Sequence, residues 1–176
     1  PFMVIATQNP IDYMGTYNLP EAQLDRFMMK ISIGYPQGGE EKQMAERFLN
    51  NQLGQTLVPV VERETVIKMQ KEVEEVRVNA DIISYVTKLV QETRKDNNLS
   101  LGASPRATLS LIRASQALAY LEGRDYCIPD DILKLLQPVI AHRLILSPEA
   151  RMSQVMTEKI LKNIISKIPV PVLTNL

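Results

Sequence analysis

Three polar side chains sit where their surroundings could give them chemistry. Asn9 follows the unbroken apolar run Phe2-Met3-Val4-Ile5-Ala6 and the pair Thr7-Gln8. In open parallel sheets ligands bind beyond the carboxyl ends of strands, and an amide both donates and accepts, so Asn9 could place a water or a phosphate oxygen. Asn before Pro10 also starts turns, and the residue alone leaves both readings open. Arg26 closes the short stretch Leu19-Pro20-Glu21-Ala22-Gln23-Leu24-Asp25-Arg26-Phe27. At a helix end it complements the helix dipole or pairs with Asp25 or Glu21. Its planar, permanently charged fork would equally suit neutralising a phosphoryl group across an interface. Arg106 is the oddest placement. Ser104 as cap and Pro105 at the first position put a cation in a first turn, where the dipole disfavours it by roughly 0.3 to 1 kcal/mol. Either an anion such as phosphate, met also by free backbone donors and approached through flexible Gly102, or an acidic neighbour should compensate.

Other chemistries find less support. His142 is the single histidine and Cys127 the single cysteine, which excludes multi-histidine and multi-cysteine metal sites and any internal disulfide. Both read as packing residues, and no metal site is expected. Glu72, Glu74 and Glu75 interleave with Lys68, Lys71 and Arg77 as a solvated helix face does. No phosphate-loop pattern GxxxxGK[ST] occurs, so these residues alone cannot cradle a triphosphate in the usual way. Twenty basic and 20 acidic residues give a formal net charge of zero, without the clustered positive field that nucleic-acid binding needs. No apolar run approaches the roughly 20 residues of a membrane span, and the cysteine usage fits a soluble, cytoplasmic protein.

The elements that must position these residues divide into two parts. Residues 2–6 have the length and character of a strand covered on both faces, and Lys30-Ile31-Ser32-Ile33-Gly34-Tyr35 alternates with period two. Pro20 and Glu21 start a short helix between them. Residues 1–36 therefore predict a strand-helix-strand piece whose neighbouring strands lie upstream, leaving the edges of strand 2–6 to pair, disorder or swap. Past Gly38-Gly39 the periodicity turns helical, and residues 37–176 predict a helical domain. Its helices are expected over Glu40–Gln52 with Met44, Phe48 and Leu49 on one side, and over Thr65–Glu75. After Asn79 one should present Ile82, Ile83, Val86, Leu89 and Val90, and after Ser104-Pro105 one should present Leu111, Ile112, Ser115, Leu118 and Ala119 up to Gly123. Pro129-Asp130-Asp131 opens another, which Pro138 should kink or divide, and Ile160, Leu161, Ile164, Ile165 and Ile168 face the core from the last. Apolar residues make up 45% of the chain and aromatics 5%, a balance suited to packed helices. The fold class is mainly α.

Taken in order, Ala6-Thr7-Gln8-Asn9-Pro10, Gly15-Thr16-Tyr17, Leu19–Phe27 and Gly102-Ala103-Ser104-Pro105-Arg106-Ala107 resemble the MoxR-type AAA+ ATPases. The likeness continues through Glu122-Gly123-Arg124-Asp125-Tyr126 and Ile140-Ala141-His142-Arg143, covering essentially the whole chain as the second half of an ATPase module. The resemblance implies a helical lid after the end of an α/β core, with the phosphate loop and the acidic magnesium-binding strand upstream. It implies Asn9 as sensor 1, orienting the attacking water. It implies Arg26 as an arginine finger acting on nucleotide of the adjacent subunit, and Arg106 as sensor 2, contacting nucleotide in cis or in trans. ATP and Mg2+ are the implied cofactors, a ring, commonly a hexamer, the implied assembly, and remodelling of a protein substrate the implied work. The fragment alone should not hydrolyse ATP. A magnesium chelatase-like or DNA-unwinding ring ATPase is the related alternative, with neutral charge against DNA. A non-catalytic helical interaction module is the alternative from another class.

Overall fold

A computed structural model of the chain describes residues 2–8, 19–52, 54 and 58–172. Asn9 and residues 10–18 fall outside the described residues. The first element is a single turn, α1 (Glu21–Leu24), followed by α2 (Gly38–Leu49) and α3 (Arg63–Glu75). Then come α4 (Ala80–Thr93), β1 (Leu99–Leu101), α5 (Pro105–Leu121) and α6 (Pro129–Ile140). A 3-10 turn at Ala141–Arg143 leads to β2 (Ile145–Leu146), α7 (Pro148–Met152) and α8 (Thr157–Lys167).

The core is helical and lies between Val76 and Ile168. Ile82, Val86, Leu89 and Val90 of α4, Leu111 of α5, Ile132, Val139 and Ile140 of α6 and Ile160 and Ile164 of α8 are all essentially inaccessible. Within α4 and α8 these recur at spacings of three and four, as one buried stripe requires. Small residues Ala107, Ala114 and Ala119 line the buried side of α5. They suit its central place, where it packs against α3, α4 and α6. Local signals set the ends. Asn79 Oδ1 accepts from Asp81 N at 2.9 Å, and Gly123 follows α5 at φ +74°. The first matches the expected Asn79 cap, and the second ends α5 where its stripe was expected to stop, on a left-handed glycine.

Several expectations change. Residues 2–8 and 29–37 carry no regular structure, with Ile5 and Ile33 exposed. A strand exists only by pairing with a neighbour, and no described residue supplies one. The short helix between them is present as α1. Pro138 does not divide α6. It lies two residues from the helix end, where little helix remains to disrupt, and the last turn tightens into the 3-10 segment. Ile83 is 43% exposed while Tyr85 and Thr93 are buried, so the buried stripe of α4 is rotated from the expected one. Helix α2 buries none of its residues, and Met44, Phe48 and Leu49 all face outward. The small antiparallel pair β1–β2, with Leu99 opposite Leu146 and Leu101 opposite Ile145, was not anticipated from the sequence. Its strands are too short to show a period.

Candidate functional site

The start of α5, the 3-10 turn after α6 and the segment 25–30 meet at one point. Gly102 permits the approach on the α5 side. A Cβ there would lie 2.7 Å from the Cα and N of Arg94. The close contact expected of this glycine is therefore made with the end of α4 and not with a ligand. Ala103 N donates to Thr93 Oγ1 at 2.9 Å, and Arg94 Nε donates to Ala103 O at 2.8 Å. The loop that leads through Ser104 into α5 and Arg106 is thus fastened to α4.

Ser104 precedes α5 as expected, but its hydroxyl does not cap the helix. It donates instead to the Asp25 carboxylate, at 2.9 Å to Oδ1 and 3.0 Å to Oδ2. Arg106 Nη1 donates to Asp25 Oδ2 at 3.3 Å, and Arg143 Nη1 to Asp25 Oδ1 at 3.3 Å. Of the two compensations open for Arg106, the acidic neighbour is the one present, and it lies 81 positions away in sequence. The carboxylate offsets the unfavourable position of a cation in the first turn of α5.

Arg143 anchors the other side. Its Nη2 donates to Phe27 O at 2.6 Å and to Ser110 Oγ at 3.1 Å, and its side chain is 1% exposed. Burial pushes this guanidinium below its usual range, opposed by the Asp25 charge. His142 Nε2 lies 3.2 Å from Phe27 O and serves as donor to it, while its buried Nδ1 has no partner among the described residues. Because a carbonyl only accepts, Nε2 carries a proton. Burial holds its pKa below the ordinary value, with Arg143 and Lys30 adding repulsion. Lys30 N donates to Pro138 O at 2.8 Å, which ties the segment to the end of α6.

Arg26 lies one residue beyond this clamp and is exposed, with no ion pair to a described residue. Asp25, which sequence offered as its partner, is taken by Arg106 and Arg143. The structure therefore joins Arg106 to the residue next to Arg26, whereas Asn9 falls outside the described residues. The sequence offers Asp25 as a partner of Arg26 and Ser104 as a helix cap, and it does not show that the two meet Arg143 at one site. The weak signal was an acidic residue directly before Arg26 and a cation directly after the lone histidine.

A second polar cluster lies at the opposite end of α5. Arg124 grips Asp131 at 2.6 and 2.9 Å, Glu122 at 2.7 Å and Tyr126 O at 2.9 Å. Asp131, inaccessible to solvent, also accepts from Ile128 N at 2.9 Å. Arg124 and Lys134 hold Glu122 below the usual carboxylate range. Nearby Cys127 is buried and its thiol is pushed up to about 11, chiefly by that burial, which makes it a packing residue. Among the described residues no group of three His, Cys, Asp or Glu could hold a metal, and no helix is long and apolar enough to cross a membrane.

Residues 91–164 match the AAA lid domain, and residues 1–29 match the ATPase family associated with various cellular activities. The chain is 45% identical over 172 residues to the YeaC protein of Bacillus subtilis, covering 98% of this chain and 54% of that one. It is 35% identical over 183 residues to chaperone MoxR1 of Mycobacterium tuberculosis, covering 97% of this chain and 47% of that one. A crystal structure of a "putative ATPase" from Cytophaga hutchinsonii superposes with a TM-score of 0.85 at 32% identity, over 94% of this chain and 53% of that one. The chain thus spans about half the length of the relatives it matches. The mainly helical fold, the lid match and the MoxR-named relative agree, and the chain belongs to the MoxR-type AAA+ ATPases.

Proposed function

We propose that the chain serves a ring-forming ATPase that binds and hydrolyses ATP with magnesium and remodels partner proteins, in keeping with the name chaperone that the mycobacterial relative carries. Residues 1–36 would close the ATPase core and residues 37–176 would form the lid. The observation that carries this reading is the contrast between Asp25 and Arg26. Asp25 is clamped to the lid by Ser104, Arg106 and Arg143, while the next residue projects an exposed guanidinium from that rigid mount. An arginine that must neutralise charge on a phosphoryl group held by a neighbouring subunit needs a fixed base and a free head. Arg106, half-exposed at the start of α5, fits a lid contact to the same class of ligand. Asn9 would orient the attacking water.

The described residues supply two cations suited to phosphate but no carboxylate set for magnesium, so the ion would be held by other residues of the module. When bound it would neutralise phosphate charge. Arg26 and Arg106 would do so from the protein side.

In the full-length protein, Arg26→Ala should lower turnover by about 10³-fold or more while leaving nucleotide affinity nearly unchanged, as expected for a finger acting in the transition state. Steady-state hydrolysis beside equilibrium nucleotide binding decides it. Unchanged turnover would remove Arg26 from the mechanism.

A further inference from the structure

Asp25 holds three side chains, and they differ in how firmly they are fixed. Arg143 is buried and tied also to Phe27 O and Ser110 Oγ, so it cannot leave without breaking the turn. Ser104 is pinned between the α4-bound Ala103 and the start of α5. Arg106 differs from both. Its side chain is 53% exposed, and its only ion pair among the described residues is the 3.3 Å contact with Asp25. Two partners are structural and one is detachable.

We propose that Asp25 is a positioning residue that parks Arg106 in the nucleotide-free molecule and yields it to a nucleotide phosphate. This rests on the assignment of Arg106 to nucleotide made above and adds the competitor that sets its affinity. A carboxylate and a phosphate compete for one guanidinium, and the phosphate, with more charge and more acceptor oxygens, is the stronger partner. Departure of Arg106 does not strand the carboxylate, because Arg143 and Ser104 remain bonded to it. The exchange therefore avoids the large penalty of an uncompensated, partly buried charge. The adjacency of Asp25 and Arg26 gives the exchange a second consequence. Asp25 is the residue before the exposed Arg26, so the parking place for the lid arginine and the mount of Arg26 are one turn of chain.

The test is equilibrium binding of a fluorescent, non-hydrolysable ATP analogue with magnesium to the full-length protein. Wild type, Asp25→Asn, Arg106→Ala and the double variant are compared. Removing the competing charge should tighten binding about two- to fivefold, the range corresponding to one half-exposed ion pair. Arg106→Ala should weaken binding, and the double variant should bind like Arg106→Ala alone. Equal or weaker binding by a folded Asp25→Asn protein, or the same gain without Arg106, overturns the parking role. If Arg106→Ala leaves binding unchanged, the nucleotide assignment of Arg106 fails and the parking role falls with it. If Arg106→Ala weakens binding but Asp25→Asn has no effect, only the parking role fails. Should Asp25→Asn not fold, labelled-arginine NMR of the wild type decides. The analogue should shift the Arg106 guanidinium signal and leave that of Arg143 in place, and a stationary Arg106 signal overturns the proposal.

Discussion

The molecule contains two arginine-carboxylate clusters of similar composition and opposite character. Around Asp131, Arg124, Glu122, Lys134 and the Ile128 amide close a network within 13 residues of chain, and the central carboxylate is inaccessible. Around Asp25, the partners Ser104, Arg106 and Arg143 come from 79 to 118 positions away, and the carboxylate is 22% exposed. Like chemistry thus serves two ends. The first cluster is local and closes on an inaccessible carboxylate, with Glu122 and Lys134 at its exposed rim, and it fixes the turn between α5 and α6. The second is long-range and partly wet, retains a detachable arginine, and joins the lid to the segment bearing Arg26. The two clusters differ in their exposure and their reach across the fold, and not in their residue types.

The strongest way to break this comparison is to remove one arginine from each cluster. Arg124→Met would leave Asp131 buried with little compensation and should destabilise the protein by about 3–5 kcal/mol. Arg106→Met removes a half-exposed pair whose carboxylate keeps two other partners, and should cost less than about 1 kcal/mol. Denaturant midpoints of the two variants against wild type measure both. Similar losses would show that the clusters do not differ in kind.

Gly102→Ala comes next and sharpens the same contrast. The added Cβ would sit 2.7 Å from the backbone of Arg94, so the loop must move away from α4. Overpacking of this kind costs about 1–3 kcal/mol. The displacement would carry Ser104 and Arg106 away from Asp25 while leaving the Asp131 cluster intact. Crystallography of the variant should show a lengthened Ser104–Asp25 contact and an unchanged Arg124–Asp131 pair. A destabilised protein with both contacts at wild-type length would separate Gly102 from the Asp25 cluster.

The helices of the lid were legible because their causes are local. Asn79 before α4, Ser104-Pro105 before α5, Pro129-Asp130-Asp131 at α6 and Gly123 after α5 mark their own boundaries, and the apolar stripes follow the helical period. What was not legible depends on partners distant in sequence. Nothing at position 104 says that its hydroxyl will serve Asp25 and not its own helix. Nothing near Arg106 says which anion will compensate it. The pattern at residues 2–6 identifies a segment fit for a strand, but a strand is completed by a neighbour, and no described residue pairs with it. The stripe on α2 similarly predicts a helix correctly and names no partner, and Met44, Phe48 and Leu49 stay exposed. Helix caps are written within four residues, whereas the Asp25 cluster needs the fold first.

The smallest expected effect is one of pH, and it separates the clusters by their titration windows. His142, beside Arg143 and bonded to Phe27 O, has its folded pKa held below the ordinary 6.5 by burial. The unfolded chain then binds more protons over that interval, so stability rises with pH there. The contribution is fully present above about 6.5 and is lost as pH falls toward the lower folded pKa. Glu122 in the other cluster is also lowered, from 4.5, by Arg124 and Lys134, so its contribution is lost only in stronger acid. Thermal unfolding between pH 7 and 5 should therefore show a decline that His142→Gln removes, because the amide can still donate to Phe27 O but does not titrate. A decline of equal size in His142→Gln would assign that loss elsewhere, and the pH dependence of the Asp25 side would no longer distinguish it from the Asp131 side.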